Sequence, residues 1–260
     1  MSRENPNLQV VILAGGYGSR ISEETLSKPK PLIEIGGIPL IVHIINIFIK
    51  QKFKEFIICT GYKGEQFNNF FANYNFSYND LEVNLKNNSI EYFKKNNEEI
   101  KIKIIHTGIN TNTGGRILKI KKFIKKDCPF LYTYGDGLSD INLQKLLKFH
   151  KQQKKIATIS LYNYIDRFGV VKIKNNLVNN FYEKPKYLNR FINIGFGVLN
   201  YEIFKILKKN HILEKNTLKI LAKKKQLAGF IHKKNFFAMD SLRDKQILEK
   251  NFNKNPFWIK

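Results

Sequence analysis

Val10-Val11-Ile12-Leu13-Ala14-Gly15-Gly16-Tyr17-Gly18-Ser19-Arg20 joins an apolar run to a glycine-rich loop. Its first four residues form an unbroken apolar run, the pattern of a strand buried on both faces and hence of a parallel sheet. The run opens directly into Leu13–Arg20, LAGGYGSR. Gly15, Gly16 and Gly18 free the backbone dihedrals and leave no side chain in the way of a ligand. Free N–H groups in such a loop can cradle phosphate oxygens, and Arg20 adds a permanently charged fork. The stretch therefore reads as an anion site at the end of a strand, beside the plainer reading of a strand-to-loop turn. A P-loop would need Lys and then Ser or Thr after the glycines, and a dinucleotide fingerprint would need a helix starting at them. Neither is present: Pro29 and Pro31 predict an extended loop over Ser22–Leu32.

Further strands follow at Glu55–Thr60, Lys101–His106, Phe130–Tyr134, Ile156–Tyr162, Phe168–Ile173, Leu177–Tyr182, Phe191–Leu199 and Ala228–Ile231. Helical patterns lie between many of them, so the expected fold class is α/β: a Rossmann-like, mixed, mostly parallel central sheet flanked by helices. No Ser/Pro/Gly-rich linker divides the chain, and 260 residues can bury one core. One domain over 1–260 is expected, with 75–105 as a hairpin excursion and 200–260 as a C-terminal extension.

Other candidate groups sit where strands end. Thr111-Asn112-Thr113-Gly114-Gly115-Arg116 opens a helix, a second candidate anion site or a tight turn. Asp136 lies between two glycines after the Phe130–Tyr134 strand, where open α/β sheets bind ligands; it suits a hard divalent cation or a structural Asx turn. Asp240 precedes a helix and reads first as its N-cap. Lys28 and Lys30 are held in a proline-stiffened segment, and Glu183-Lys184-Pro185 ends a strand. His43 and His150 fall on apolar helix faces and read as packed histidines.

The net charge is +24, but the lysines are spread among many segments rich in Asn and Ile. In Ile117–Ile124 the apolar residues form one helical face and the lysines mostly fall elsewhere, so a solvated surface accounts for the charge and nucleic acid is not the expected partner. Cys59 and Cys128 have no metal or disulfide spacing. No apolar stretch precedes the first strand and no run is long enough to span a bilayer, so a cytoplasmic, membrane-free protein is expected.

Taken in order, LAGGYGSR, SKPKP, TGGR, YGDG, EKP and MDSLRD resemble the sugar-1-phosphate nucleotidyltransferases over nearly the whole chain. The variants SEETLSKPKPLIEIGG, TGYKG, TGGRILK, FLYTYGDG and RFG are most similar to the cytidylyltransferases that act on glucose 1-phosphate. The resemblance implies a Mg2+-dependent transfer from a nucleoside triphosphate, CTP first, to a sugar 1-phosphate, with pyrophosphate leaving, in a protein commonly homo-oligomeric. It implies Arg20, Lys30 and Asp136 as catalytic residues. Leu13, Ala14, Gly15, Gly16, Gly18, Ser19, Arg20, Lys30, Thr113 and Arg116 would bind the nucleotide. Gly169, Glu183, Lys184 and Asn193 would bind the sugar phosphate, and Asp136 and Asp240 the metal. Two ionised carboxylates about 4 Å apart repel by roughly 4 kcal/mol at an effective dielectric of about 20, a cost a divalent cation reverses. Phe236-Phe237 stands where these cytidylyltransferases often have Trp, and Ile194-Gly195 where they have Gly-Gly, so uridylyl or thymidylyl transfer is the runner-up. A non-catalytic nucleotide-binding or nucleic-acid-binding protein and a dehydrogenase are the competing classes.

Overall fold

The computed structural model describes residues 8–74, 80–87, 89–93, 99–163, 170–174, 176–182 and 191–259. Seven strands make the main sheet: β1 Gln9–Leu13, β2 Glu55–Thr60, β3 Lys101–His106, β4 Phe130–Tyr134, β5 Ala157–Asn163, β6 Phe191–Leu199 and β7 Leu227–His232. Their spatial order is β7-β5-β6-β4-β1-β2-β3. β1 pairs in parallel with both β2 and β4, and β2 with β3. β6 alone runs against its neighbours β4 and β5, while β7 is parallel to β5. The expected mixed, mostly parallel α/β sheet is what the chain builds.

Alternation along β1 explains the layering. Val10 and Ile12 enter a core with Ile41, Ile44 and Phe48 of helix Leu40–Ile49 and Leu143 and Leu147 of helix Leu143–Gln153. Val11 and Leu13 face the opposite core, with Ile117, Leu213 and Leu221. Successive side chains of a strand point to opposite faces, so a fully apolar strand needs cover on both. The chain moves outward from β1 through β2 and β3, then returns to the other side of β1 as β4. Ligands of open α/β sheets bind at such a reversal, outside the carboxyl ends of the strands.

One local expectation changes. Ser22–Leu32 is not simply extended: Ser22–Thr25 forms one helical turn and Lys30–Leu32 a 3-10 turn, with Pro29 extended between them. Glu23 and Glu24 favour the turn through its dipole, and buried Ile21 and Thr25 anchor it. Helix Leu143–Gln153 starts where Asn142 caps it: the Asn142 side chain accepts from the Lys145 N–H at 2.8 Å. Tyr201–Lys205 is a 3-10 segment.

Residues Asp80–Asn84 and Ser89–Phe93 pair with each other in a two-stranded sheet separate from the main one. Val170–Lys174 and Leu177–Tyr182 form a second separate hairpin, with Asn176 at φ 62° in its turn, a left-handed conformation that Asn tolerates. The segment after residue 200 supplies edge strand β7 and sends Leu213, Leu248 and Trp258 into the two cores.

Candidate active site

The glycine loop leaves the sheet with its backbone already tied on both sides. Gly135 N–H donates to Leu13 O at 3.1 Å, and Ala14 N–H donates to Cys59 O at 3.0 Å. Gly18 has φ +67°, and a Cβ there would lie 2.7 Å from Thr25 Cγ2, so two independent constraints require glycine. Gly16 faces open space, with nothing within 4 Å of a Cβ built on it. Beside this loop is a cleft of about 560 Å³. Leu13, Ala14, Gly15, Gly16, Gly18, Ser19, Arg20, Lys30, Thr113, Arg116 and Asp136 all line it, together with Tyr17, Asn110 and Tyr134.

Asp136 and Asp240 are 104 positions apart in sequence, and a short ribbon brings them together. Gly137–Ser139 pairs antiparallel with Phe236–Ala238, and Met239 N–H donates to Asp136 O at 2.9 Å. Both carboxylates then converge on one ammonium: Lys30 Nζ is 2.9 Å from Asp136 Oδ2 and 3.0 Å from Asp240 Oδ1. Arg20 Nη1 lies 2.9 Å from the second oxygen of Asp240. The Lys30 side chain is 10% exposed, whereas that of Arg20 is 73% exposed.

Asp240 is available for this because it is not the helix cap. Ser241 takes that role, its hydroxyl accepting from Asp244 N–H while the Asp244 carboxylate accepts from the Ser241 N–H in a capping box. Asp136 and Asp240 thus offer hard oxygen donors to one cation, which fits the divalent metal that the sequence implies. Among the described residues, no group of three or more His, Cys, Asp and Glu gathers at one point.

Arg116 is placed differently. It is 4% exposed; its Nη1 donates to Thr60 O at 2.9 Å, Thr107 Oγ1 at 2.6 Å and Gly108 O at 2.9 Å. Its Nη2 donates to Gly15 O at 2.8 Å and Ile109 O at 3.2 Å. The guanidinium therefore binds the glycine loop to the ends of β2 and β3, and burial lowers its pKa from the ordinary arginine value. A Cβ on Gly15 would fall 2.1 Å from Arg116 Nη1, so that glycine makes room for the arginine. The adjacent helix start is equally occupied. Gly115 N–H donates to His211 O at 3.2 Å, and a Cβ there would lie 2.4 Å from Lys209 O. Thr113 Oγ1 donates to Glu214 Oε2 at 3.0 Å and accepts from Leu213 N–H at 2.8 Å.

Three cleft residues, Tyr17, Asn110 and Tyr134, are not among those to which the sequence points. Tyr17 OH donates to Asn110 Oδ1 at 2.7 Å, joining the glycine loop to the loop after β3, and its ring lies 5.3 Å from that of Tyr62. Tyr134 OH donates to Glu214, which Thr113 also contacts. A tyrosine inside a glycine run was the available signal for the first; nothing in the sequence pairs Tyr134 with Glu214.

On the sugar-phosphate side, Asn193 Oδ1 accepts from Gly195 N–H at 3.0 Å. Gly195 has φ +80° and packs against Tyr134, whose Cδ2 would be 2.3 Å from an added Cβ. Gly169, Glu183 and Lys184 lie outside the described residues. His43 and His150 are packed away from the cleft. His43 Nε2 contacts Ile35 O at 2.9 Å, and its Nδ1 accepts from Trp258 Nε1–H at 3.2 Å. His150 contacts Thr158 Oγ1 at 2.8 Å and Asn200 Oδ1 at 3.1 Å. Burial lowers the pKa of both.

A cationic, glycine-walled cleft at the switch point of a mostly parallel sheet, bordered by two carboxylates that converge on Lys30, suits a ligand that carries phosphates. The chain belongs to the nucleotidyl transferase family, whose model matches residues 9–242. Within it, the chain is a sugar-1-phosphate nucleotidyltransferase. It is 39% identical over 243 residues to the glucose-1-phosphate cytidylyltransferase of Salmonella typhimurium, covering 93% of this chain and 95% of that protein. Two solved structures share the fold. An apo UDP-glucose pyrophosphorylase aligns with TM-score 0.68 at 18% identity, over 95% of this chain and 98% of that one. HddC from Yersinia pseudotuberculosis aligns with TM-score 0.66 at 22% identity, over 94% and 99%.

Proposed function

We propose that this enzyme transfers a cytidylyl group from CTP to glucose 1-phosphate, giving CDP-glucose and pyrophosphate. The observation that carries the reading is the meeting of Asp136 and Asp240 at Lys30, beside the glycine loop. The 39% identity to a glucose-1-phosphate cytidylyltransferase supports the choice of base and sugar.

In this reading, a phosphate oxygen of the sugar 1-phosphate attacks the α-phosphorus in line. The bond to the β-phosphate oxygen breaks, and pyrophosphate leaves with the electron pair. No side chain becomes covalently attached; positioning and charge neutralisation carry the catalysis. The backbone of Gly15, Gly16 and Gly18, with Leu13, Ala14 and Ser19, holds the nucleotide against the sheet. Arg20 and Lys30 offset charge on the triphosphate as the leaving group develops. Asp136 and Asp240 would hold Mg2+, which when bound supplies further neutralisation of phosphate charge. Arg116 keeps Gly15 in position, and Thr113 closes the nucleotide side of the cleft. Gly169, Glu183, Lys184 and Asn193 take the sugar phosphate.

The same family likeness favours a homo-oligomer working in the cytoplasm, which sedimentation and cell fractionation test. Among the described residues no helix is long and apolar enough to cross a membrane. The functional test offers each nucleoside triphosphate with a panel of sugar 1-phosphates and follows pyrophosphate with and without a chelator. The reading predicts CTP with glucose 1-phosphate as the best pair and no release with chelator. A best rate with UTP or dTTP would replace the cytidylyl reading. Tight nucleotide binding without pyrophosphate release from any pair would contradict transfer altogether.

A further inference from the structure

Lys30 is less exposed than Arg20, Asp136 and Asp240, and its ammonium is shared by the two carboxylates best suited to hold a cation. Its backbone is fixed. Leu32 N–H donates to Pro29 O at 2.8 Å and Ile33 N–H to Lys30 O at 3.1 Å, and Pro31 lies where a Cβ on Gly135 would meet it at 2.7 Å. The side-chain stem is a flexible four-carbon chain. It runs along the glycine loop, with Lys30 Cβ 3.1 Å from a Cβ built on Gly18. The ammonium can therefore exchange carboxylate oxygens for phosphate oxygens by side-chain rotation alone, while its backbone stays in place.

We infer that Lys30 is an internal counter-cation that closes the Asp136–Asp240 pair to divalent metal until a triphosphate draws the ammonium away. This inference rests on the nucleotidyl-transfer reading of the site and deepens it by assigning an order. Two carboxylates facing each other need positive charge between them, and in the free enzyme that charge is built into the chain. An ammonium and a divalent cation seated between the same oxygens would repel each other, so the two compete. Phosphate oxygens at the glycine loop offer the ammonium a second anionic partner, and Arg20, which is also paired to Asp240, can follow it. Nucleotide binding and metal binding then reinforce each other, and such coupling is reciprocal. A metal without nucleotide meets a closed site, which limits unproductive loading.

The test measures Mn2+ binding without nucleotide, by the loss of the free-ion electron paramagnetic resonance signal, in the whole protein and in variants whose melting curves match it. Lys30→Met removes the counter-cation and is expected to bind Mn2+ at least tenfold more tightly than the unaltered protein. Lys30→Gln serves if the Met variant does not fold. Lys30→Arg retains a cation and should bind as weakly as the unaltered protein. So should Lys28→Met, because Lys28 pairs with Glu34 at 3.0 Å outside the carboxylate pair. Equal or weaker Mn2+ affinity in both Lys30→Met and Lys30→Gln overturns the inference. Adding Asp136→Asn to Lys30→Met separates the two layers of the argument. Loss of the gained affinity supports both the latch and the carboxylate site, whereas its retention puts the metal elsewhere and contradicts the nucleotidyl-transfer assignment of Asp136.

Discussion

Two glycine-and-arginine turns, Gly15–Arg20 and Thr113–Arg116, border the same cleft and have similar composition, yet they direct their cations oppositely. Arg20 stands at the mouth, largely exposed, with a carboxylate as its partner. Arg116 is buried and donates to carbonyls from the ends of β2 and β3 and from the glycine loop itself. A guanidinium has five N–H donors in a rigid fork, and what surrounds the fork decides whether it faces a ligand or the chain. Arg20 follows a loop in which Gly16 opens to solvent. Arg116 follows glycines packed against Leu207, Lys209 and His211.

The largest effect is expected at the carboxylates, the anionic counterpart of Arg20. Asp136→Ala and Asp240→Ala should each lower pyrophosphate release about 10³-fold or more, since each removes a centre that organises charge in the transition state. The melting temperature should not fall, which a paired rate assay and thermal melt would check.

Arg116→Ala should act first on stability. It removes the charge-assisted hydrogen bonds to the carbonyls of Thr60, Gly15 and Gly108, each of which keeps a backbone donor, at a cost of about 3 kcal/mol. Denaturant unfolding reads that loss directly. Arg116→Lys, which keeps the charge but loses the fork, should recover only part of it.

Arg20→Ala should cost turnover on the order of 100-fold, the usual scale for one electrostatic contact to the transition state, with unchanged unfolding. A change confined to KM would instead place Arg20 in ground-state binding.

Ser241→Ala should cost about 1 kcal/mol through the lost cap. Its effect on activity should be small, provided that Asp244 still accepts from the backbone N–H groups of Asp240 and Ser241.

The smallest effect is pH dependence. His43 and His150 have folded pKa values pushed below the ordinary 6.5 by burial. The unfolded chain therefore binds more protons just below that value. Stability should be full above about pH 6.5 and decline as pH falls towards the lowered folded values. Chemical unfolding between pH 7 and 5 would show the slope, and His150→Gln should flatten it.

The contrast between the turns also shows what sequence can carry. β1 and the position of Asp136 were legible because a wholly apolar run ending in glycine has few other structural meanings. The role of Arg116 was not, because its acceptors come from three segments that meet only in the folded sheet. The approach of Asp136 to Asp240 was legible only through the family resemblance, since three-residue strands such as Gly137–Ser139 and Phe236–Ala238 are too short to show a period. Adjacent Asp240 and Ser241 were both chemically able to cap the last helix. Asp244, three residues after Ser241, completed the capping box and left Asp240 facing Lys30.

The most direct test of this division of labour is arginine side-chain nuclear magnetic resonance of the whole protein, titrated with Mg2+ and a non-hydrolysable CTP analogue. The guanidinium signal of Arg20 should shift strongly as it exchanges Asp240 for phosphate, while that of Arg116 should stay close to its starting position and remain protected from solvent. A large shift at Arg116 with none at Arg20 would contradict the account.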